Sequence, residues 1–258
     1  MSQEQQQKQC DDWNHEIAGP CPFAPHEFRN SKNIVERNII ENRKLGEFAS
    51  QQMRKIFEQS KKDAKIFDSG GIKRVVNVGW GKGDDSKWLN EATLAGYGTV
   101  CIDVASIPCT NARRILGLRW DKIRDRPSHV PPPEVIQGDI RSILLDPEPV
   151  GLDIPSVKLW YFCRTLTCLD QESAHIVLNI LGESLCAEHN RDGLTTVLII
   201  SPMWDYNYAR VSRRTKLYPI KEIVSMLSYG AGCEVEVADD VQHMYYDQTY
   251  SALTMRVK

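Results

Sequence analysis

Val75-Val76-Asn77-Val78-Gly79-Trp80-Gly81-Lys82-Gly83 carries an apolar strand straight into a turn with glycine at every second position, and few folds accept that junction. Glycine tolerates positive φ and has no Cβ, so the backbone amides of such a turn can lie against a bound nucleotide-like group. Asp103 closes a second apolar strand, Thr99-Val100-Cys101-Ile102, 20 positions after Gly83. A carboxylate there can accept hydrogen bonds from both hydroxyls of a ribose. Strand, glycine turn, helix, strand and terminal acid make one βαβ unit suited to an adenosine-containing cofactor.

The glycine spacing separates two classes of cofactor. A dinucleotide turn follows G-x-G-x-x-G, its third glycine permitting close helix packing around a pyrophosphate. Here the pattern is G-x-G-x-G, and the place of that third glycine is taken by Asp84, with Asp85 behind it. Two carboxylates at a helix N-terminus suit the helix dipole but repel a diphosphate. At this point the chain resembles the class I S-adenosylmethionine-dependent methyltransferases, whose first motif is an acidic residue followed by x-G-x-G-x-G and whose cofactor carries no phosphate. The resemblance implies that Gly79, Gly81 and Gly83 border the cofactor and that Asp103 holds its ribose. One departure stands out. The family's usual acid is Asn77 here, which can hydrogen-bond a ligand but brings no charge to a methionine ammonium.

From residue 70 onward the pattern alternates strand and helix, as a doubly wound sheet requires. Strands are expected at 74–79, 99–104, 134–138, 157–163 and 195–201, their continuous apolar character matching strands buried on both faces of a parallel sheet. Helices are expected near 85–96, 109–118, 171–189 and 219–229, the third opened by Asp170 as N-cap and the fourth by Pro219. Two closing strands, 233–238 and 251–257, have too short a gap between them for a helical crossover, so they pair antiparallel. The fold class is therefore α/β: a doubly wound, seven-stranded, mostly parallel sheet with an antiparallel C-terminal hairpin, preceded by N-terminal helices. That ending is similar to the class I methyltransferase core and unlike a conventional dinucleotide fold.

Upstream, the prolines of Pro20, Pro22 and Pro25 exclude regular structure and mark a tail or covering strap. Apolar positions from Ile34 to Phe57 recur at helical spacing, with a break expected near Gly46, giving one or two amphipathic helices. The domain reading is thus 1–69 as N-terminal tail and helical lid or extension, and 70–258 as the methyltransferase-like domain. Helices that only cover one sheet face are the alternative to a lid.

Later positions complete a candidate site. Val135-Ile136-Gln137-Gly138-Asp139-Ile140 reads as the third strand and its exit, the corner that meets adenine in the family, so the resemblance assigns Asp139 and Ile140 to the cofactor. The fourth strand ends at Phe162-Cys163-Arg164, where the family's methyl acceptor sits, and it lacks the Asp/Asn-Pro-Pro-aromatic motif of nucleic-acid and some protein amine methyltransferases. Phe162 is a candidate to stack on adenosine or on the acceptor and Arg164 to bind an acidic acceptor, against core ring and solvated strand end as alternatives. Tyr206 belongs to an aromatic loop after the fifth strand, suited to the wall of an organic pocket. His243, between the final strands, is a candidate general base because an unperturbed imidazole titrates at about 6.5.

Composition sets the outer limits. A chain of 258 residues, 41% apolar, is long enough for one α/β domain and an extension. A formal net charge of −2 leaves no global electrostatic footprint for DNA or long RNA. No run reaches the roughly 18 apolar residues that span a bilayer, and the first residues lack the apolar core of a signal peptide, so a soluble, cytoplasmic protein is expected. The 8 cysteines include no C-x-x-C and the 6 histidines no H-x-x-x-H, which points to reduced thiols and no metal site. The combined expectation is S-adenosylmethionine-dependent methyl transfer to a small-molecule acceptor through O, N, S or C. A methyltransferase-like scaffold without activity and an NAD(P)-dependent oxidoreductase are the alternatives, the second opposed by the glycine spacing and the hairpin.

Overall fold

The computed structural model describes residues 32–63, 72–80, 86–185, 195–202, 218–245 and 248–257. Among them, Arg74–Val78 (β1), Gly98–Asp103 (β2), Glu134–Gln137 (β3), Val157–Cys163 (β4) and Thr196–Pro202 (β5) run parallel. Val235–Tyr245 (β6) and Gln248–Val257 (β7) form a hairpin whose second strand pairs antiparallel with β5. The sheet order is β3-β2-β1-β4-β5-β7-β6. The first five strands and the hairpin direction match the reading of the sequence.

Alternation along the strands builds two cores. Val76, Val78, Val100, Ile102, Trp160, Phe162, Val197 and Ile199 face one layer. Val75, Cys101, Leu159, Tyr161, Leu198 and Ile200 face the other. Every residue of β2 and of β4 is buried, which is why apolar runs, Val100-Cys101-Ile102 and Leu159-Trp160-Tyr161-Phe162-Cys163, dominate both. Edge strand β3 is partly exposed and keeps polar ends, Glu134 and Gln137.

Helices Ile140–Leu145 (α4), Gln171–Leu185 (α5) and Ile220–Ala231 (α6) cover the first layer. In α5 the buried positions Ala174, Val177, Leu178, Leu181 and Leu185 follow the i, i+3, i+4, i+7 stripe of a one-sided helix. Ser173 N donates to Asp170 Oδ1 at 2.8 Å, so Asp170 caps this helix as its sequence implies. Lys32–Asp63 (α1), Trp88–Leu94 (α2) and Ser106–Trp120 (α3) cover the second layer.

Three local expectations differ from the structure. Residues 32–63 form one continuous helix through Gly46, because the roughly 1 kcal/mol cost of a helical glycine is small beside the burial of Leu45, Phe48, Ala49, Met53 and Phe57. The C-terminal half of α1 is part of the sheet-face core, tied to α2 and its approach by Arg54–Glu91 and Lys87–Glu47 ion pairs of 2.6 Å each. Strand β6 runs on to Tyr245, through residues read as a connecting loop, because β7 offers a full partner from Gln248 onward. Helix α4, only six residues long, carried too little periodicity to be read at all. Residues 1–31, including the expected strap, lie outside the described residues. Among the described residues, no helix is long and apolar enough to cross a membrane.

Candidate functional site

The crossover helices change face between β1 and β4. Helices α2 and α3, after β1 and β2, lie on one side of the sheet, and α4, α5 and α6 on the other. At such a switch point the connections diverge and leave a crevice outside the carboxyl ends of the strands, where ligands of doubly wound sheets bind. The strand order, with β7 antiparallel between β5 and β6, decides the architecture. The fold is that of the class I methyltransferases.

No family model matches the chain, and no curated protein matches it. Among solved structures it is similar to the N,N-8-amino-8-demethyl-D-riboflavin dimethyltransferase of Streptomyces davawensis, at 15% identity and a TM-score of 0.48 over 81% of this chain. This chain spans 54% of the length of that structure. It is also similar to an O-methyltransferase from neocarzinostatin biosynthesis crystallised with S-adenosylmethionine, at 18% identity and TM-score 0.48 over 99% of this chain and 70% of that one. An arsenic (III) S-adenosylmethionine methyltransferase of Chlamydomonas reinhardtii gives 15% identity and TM-score 0.48, over 73% of this chain and 65% of that one.

In this class I methyltransferase fold, Gly79 is the first residue past β1. Its φ is +78°, and its amide donates to Ile102 O at 2.8 Å, continuing the β1–β2 ladder by one rung. A Cβ on Gly79 would lie 2.2 Å from Thr165 Oγ1, so both conformation and close approach demand glycine here. Trp80 then turns into the second core layer. Gly81 and Gly83 lie outside the described residues, as does Tyr206.

Asn77, one residue inside β1, is 1% exposed. Its Oδ1 accepts from Cys101 Sγ at 3.5 Å, while Nδ2 has no acceptor among the described residues. A buried amide donor therefore stands just below the turn.

Asp103 ends β2 with its side chain buried, and its Oδ1 accepts from Ala105 N at 3.0 Å, which sets the carboxylate as the chain enters α3. Beneath it Cys109 Sγ lies 3.4 Å from Asp103 O. Burial and the Asp103 charge push that thiol up to about 11, so it stays protonated and unreactive at neutral pH.

Asp139 is the N-cap of α4, accepting from Arg141 N at 2.9 Å. Arg141 Nε also reaches both Asp139 oxygens, and Arg141 Nη1 donates to Ser173 Oγ at 2.8 Å. The Asp139 hydrogen bonds, ahead of the opposing effect of burial, raise the Arg141 pKa. Ile140 is buried in the first layer as the first residue of α4.

Arg164 follows β4 in the left-handed region, φ +59°, an uncommon conformation for a long side chain. Its amide donates to Ile200 O at 2.8 Å and its carbonyl accepts from Thr167 Oγ1 at 2.7 Å. Phe162 lies one rung inside, opposite Val78, and is wholly buried in the first core layer. His243 sits in β6 as the ladder partner of Tyr250, which in turn pairs with Pro202 at the end of β5. With strands about 4.8 Å apart, three spacings put His243 roughly 14 Å across the sheet from β4.

Gly79, Asp103, Asp139 and Arg164 thus stand at the carboxyl ends of four adjacent strands around the switch point. Two contributors escaped the sequence. Arg141 binds its own N-cap, a pairing that no spacing rule marks, and Thr165 reaches back to a residue 87 positions earlier.

Proposed function

We propose that the chain binds S-adenosylmethionine in the β1–β4 crevice and transfers its methyl group to a small-molecule acceptor. The observation that carries this reading is the row of Gly79, Asp103 and Asp139 at the carboxyl ends of β1, β2 and β3, in the order in which an extended adenosine ligand would meet them. Asp103 would hold the ribose hydroxyls, and Asp139 with Ile140 the adenine. Gly79, with Gly81 and Gly83 beyond it, would border the methionine end.

The polar groups present fit that ligand. Three carbonyl oxygens, those of Val78, Cys163 and Gly79, lie 2.6, 3.2 and 3.3 Å from the Thr165 hydroxyl. The hydroxyl donates to one of them, and carbonyl dipoles that converge at the β1–β4 junction would favour an ammonium. Asn77, in the place of the usual acid, supplies a buried donor suited to a carboxylate oxygen. S-adenosylmethionine, when bound, supplies an electrophilic sulfonium methyl, and the chain's own task is to orient the acceptor in line and exclude water.

Arg164, at the end of β4, would attract an anionic acceptor, with Tyr206 as a further acceptor-side residue. His243 would act as a base only on an acceptor that reaches across β5 and β7. The absent Asp/Asn-Pro-Pro-aromatic motif favours a small organic molecule over a nucleobase. The test is a thermal-shift series with S-adenosylmethionine, S-adenosylhomocysteine and NADH on the full chain. A rise in Tm with the first two and none with NADH supports the reading; a rise with NADH alone overturns it.

A further inference from the structure

The ladder between β1 and β4 ends at the Val78–Phe162 pair, and the next link across the switch point is a side chain. Thr165 Oγ1 lies 2.6 Å from Val78 O, closer than to its two other carbonyl neighbours, so the hydroxyl donates there. The loop bearing it is held on its far side. Arg164 N is bound to Ile200 O of β5, and Thr165 O accepts from Cys168 N at 2.9 Å within the short helical turn Leu166–Cys168. Left-handed Arg164 gives the bend between those two anchors, and the missing Cβ of Gly79 makes room for the threonine.

We propose that Thr165 is a positioning residue: its hydroxyl latches the β1 turn to the β4 loop, so that the cofactor side and the acceptor side of the crevice are held at one spacing. Two loops that leave a switch point toward opposite faces have no backbone pairing to fix their separation. Thr165 supplies that link. Its loss would leave the Gly79 turn held to β2 through Gly79 N and Ile102 O but no longer tied by a side chain to the loop that carries Arg164. The link to ligand binding rests on the function proposed above; the latch itself does not.

Thr165→Val removes the hydroxyl at nearly constant volume, and Thr165→Ser keeps it. In the full chain, Thr165→Val is expected to speed amide exchange at Val78, Gly79 and Trp80, and to weaken S-adenosylhomocysteine about tenfold, the size of one hydrogen bond. Tm should stay close to that of the parent, and Thr165→Ser should restore both values. Unchanged exchange in Thr165→Val overturns the latch. Faster exchange with unaltered affinity overturns its role in positioning. Should the parent fail to bind S-adenosylhomocysteine, the proposed function fails while the exchange comparison still decides the latch. Thr165→Ala serves in place of Thr165→Val if the valine variant does not fold.

Discussion

Arg141 closes on the carboxylate of Asp139 two positions before it, with Nε 3.0 and 3.1 Å from the two oxygens and Nη2 on Oδ2. The same guanidinium reaches Ser173 at the start of α5. An acid expected to face a ligand is therefore also the cap of one helix and, through Arg141, the tie to the next.

That dual duty predicts different outcomes for the two partners. Arg141→Leu should cost about 1–2 kcal/mol in a denaturant titration, the worth of partly exposed charge-assisted hydrogen bonds, while leaving the Asp139 carboxylate available. S-adenosylhomocysteine affinity should hold in Arg141→Leu and fall in Asp139→Ala. Equal affinities in the two variants would remove Asp139 from the adenine site.

At the neighbouring helix start, burial opposes the charge of Asp170. The Ser173 amide and hydroxyl and the Arg141 charge outweigh burial and lower its pKa below the ordinary 3.8. A lowered folded value means stability that is fully present above pH 3.8 and lost as pH falls through that lower value. Asp170→Ala should cost about 0.5–1 kcal/mol at pH 7, toward the low end for an N-cap because solvent also reaches the group. Urea titrations should show the gap between parent and variant closing in acid; a gap that widens there would contradict the assignment.

Helix α1 carries its C-terminal half into the second core layer. Phe57 is 3% exposed, and its ring centroid lies 4.6 Å from that of Tyr97, beside the start of β2. Phe57→Ala should destabilise the whole domain by about 3–5 kcal/mol, as for a buried aromatic. A loss below 1 kcal/mol, on the order of a surface substitution, would mean that this half of α1 lies on the fold as a detachable cover.

Close crossing of α5 and α6 depends on Gly230, where a Cβ would fall 1.9 Å from Asn179 O. Backbone cannot yield as a flexible side chain does. Gly230→Ala should cost about 1–3 kcal/mol despite the better helix propensity of alanine. A stabilised variant, measured by thermal melt, would show that the helices are less tightly packed than described.

The sequence disclosed whatever repeats with a strong period or is buried on both sides. Strands β1, β2 and β4 were legible because nearly all of their residues are buried around apolar runs such as Val75-Val76, Val100-Cys101-Ile102 and Leu159-Trp160-Tyr161-Phe162, and α5 because its stripe is unbroken. The full length of β6 is not legible because edge residues such as Asp239, Asp240 and Gln242 are polar and are held by pairing with β7, which a one-dimensional pattern does not display. Gly79, Asp103, Asp139 and Arg164 stood out through their positions after successive strands, and they lie at the carboxyl ends of β1, β2, β3 and β4. The Thr165–Val78 link did not stand out, since a hydrogen bond across 87 positions exists only once β1 and β4 are neighbours. Phe162 shows the converse limit: an aromatic at a strand end reads equally as ligand platform or core, and its ring lies in the core.

Asp103 and its neighbours are proposed to hold S-adenosylmethionine. Titration calorimetry of S-adenosylhomocysteine into the parent chain and into Asp103→Ala, with NADH as control, tests that assignment most directly. Expected are saturable binding to the parent, a loss of about 1.5–3 kcal/mol in the variant, the range for hydrogen bonds to a charged group, and no binding of NADH. Binding of NADH without S-adenosylhomocysteine, or an Asp103→Ala variant that folds and binds as tightly as the parent, would contradict it.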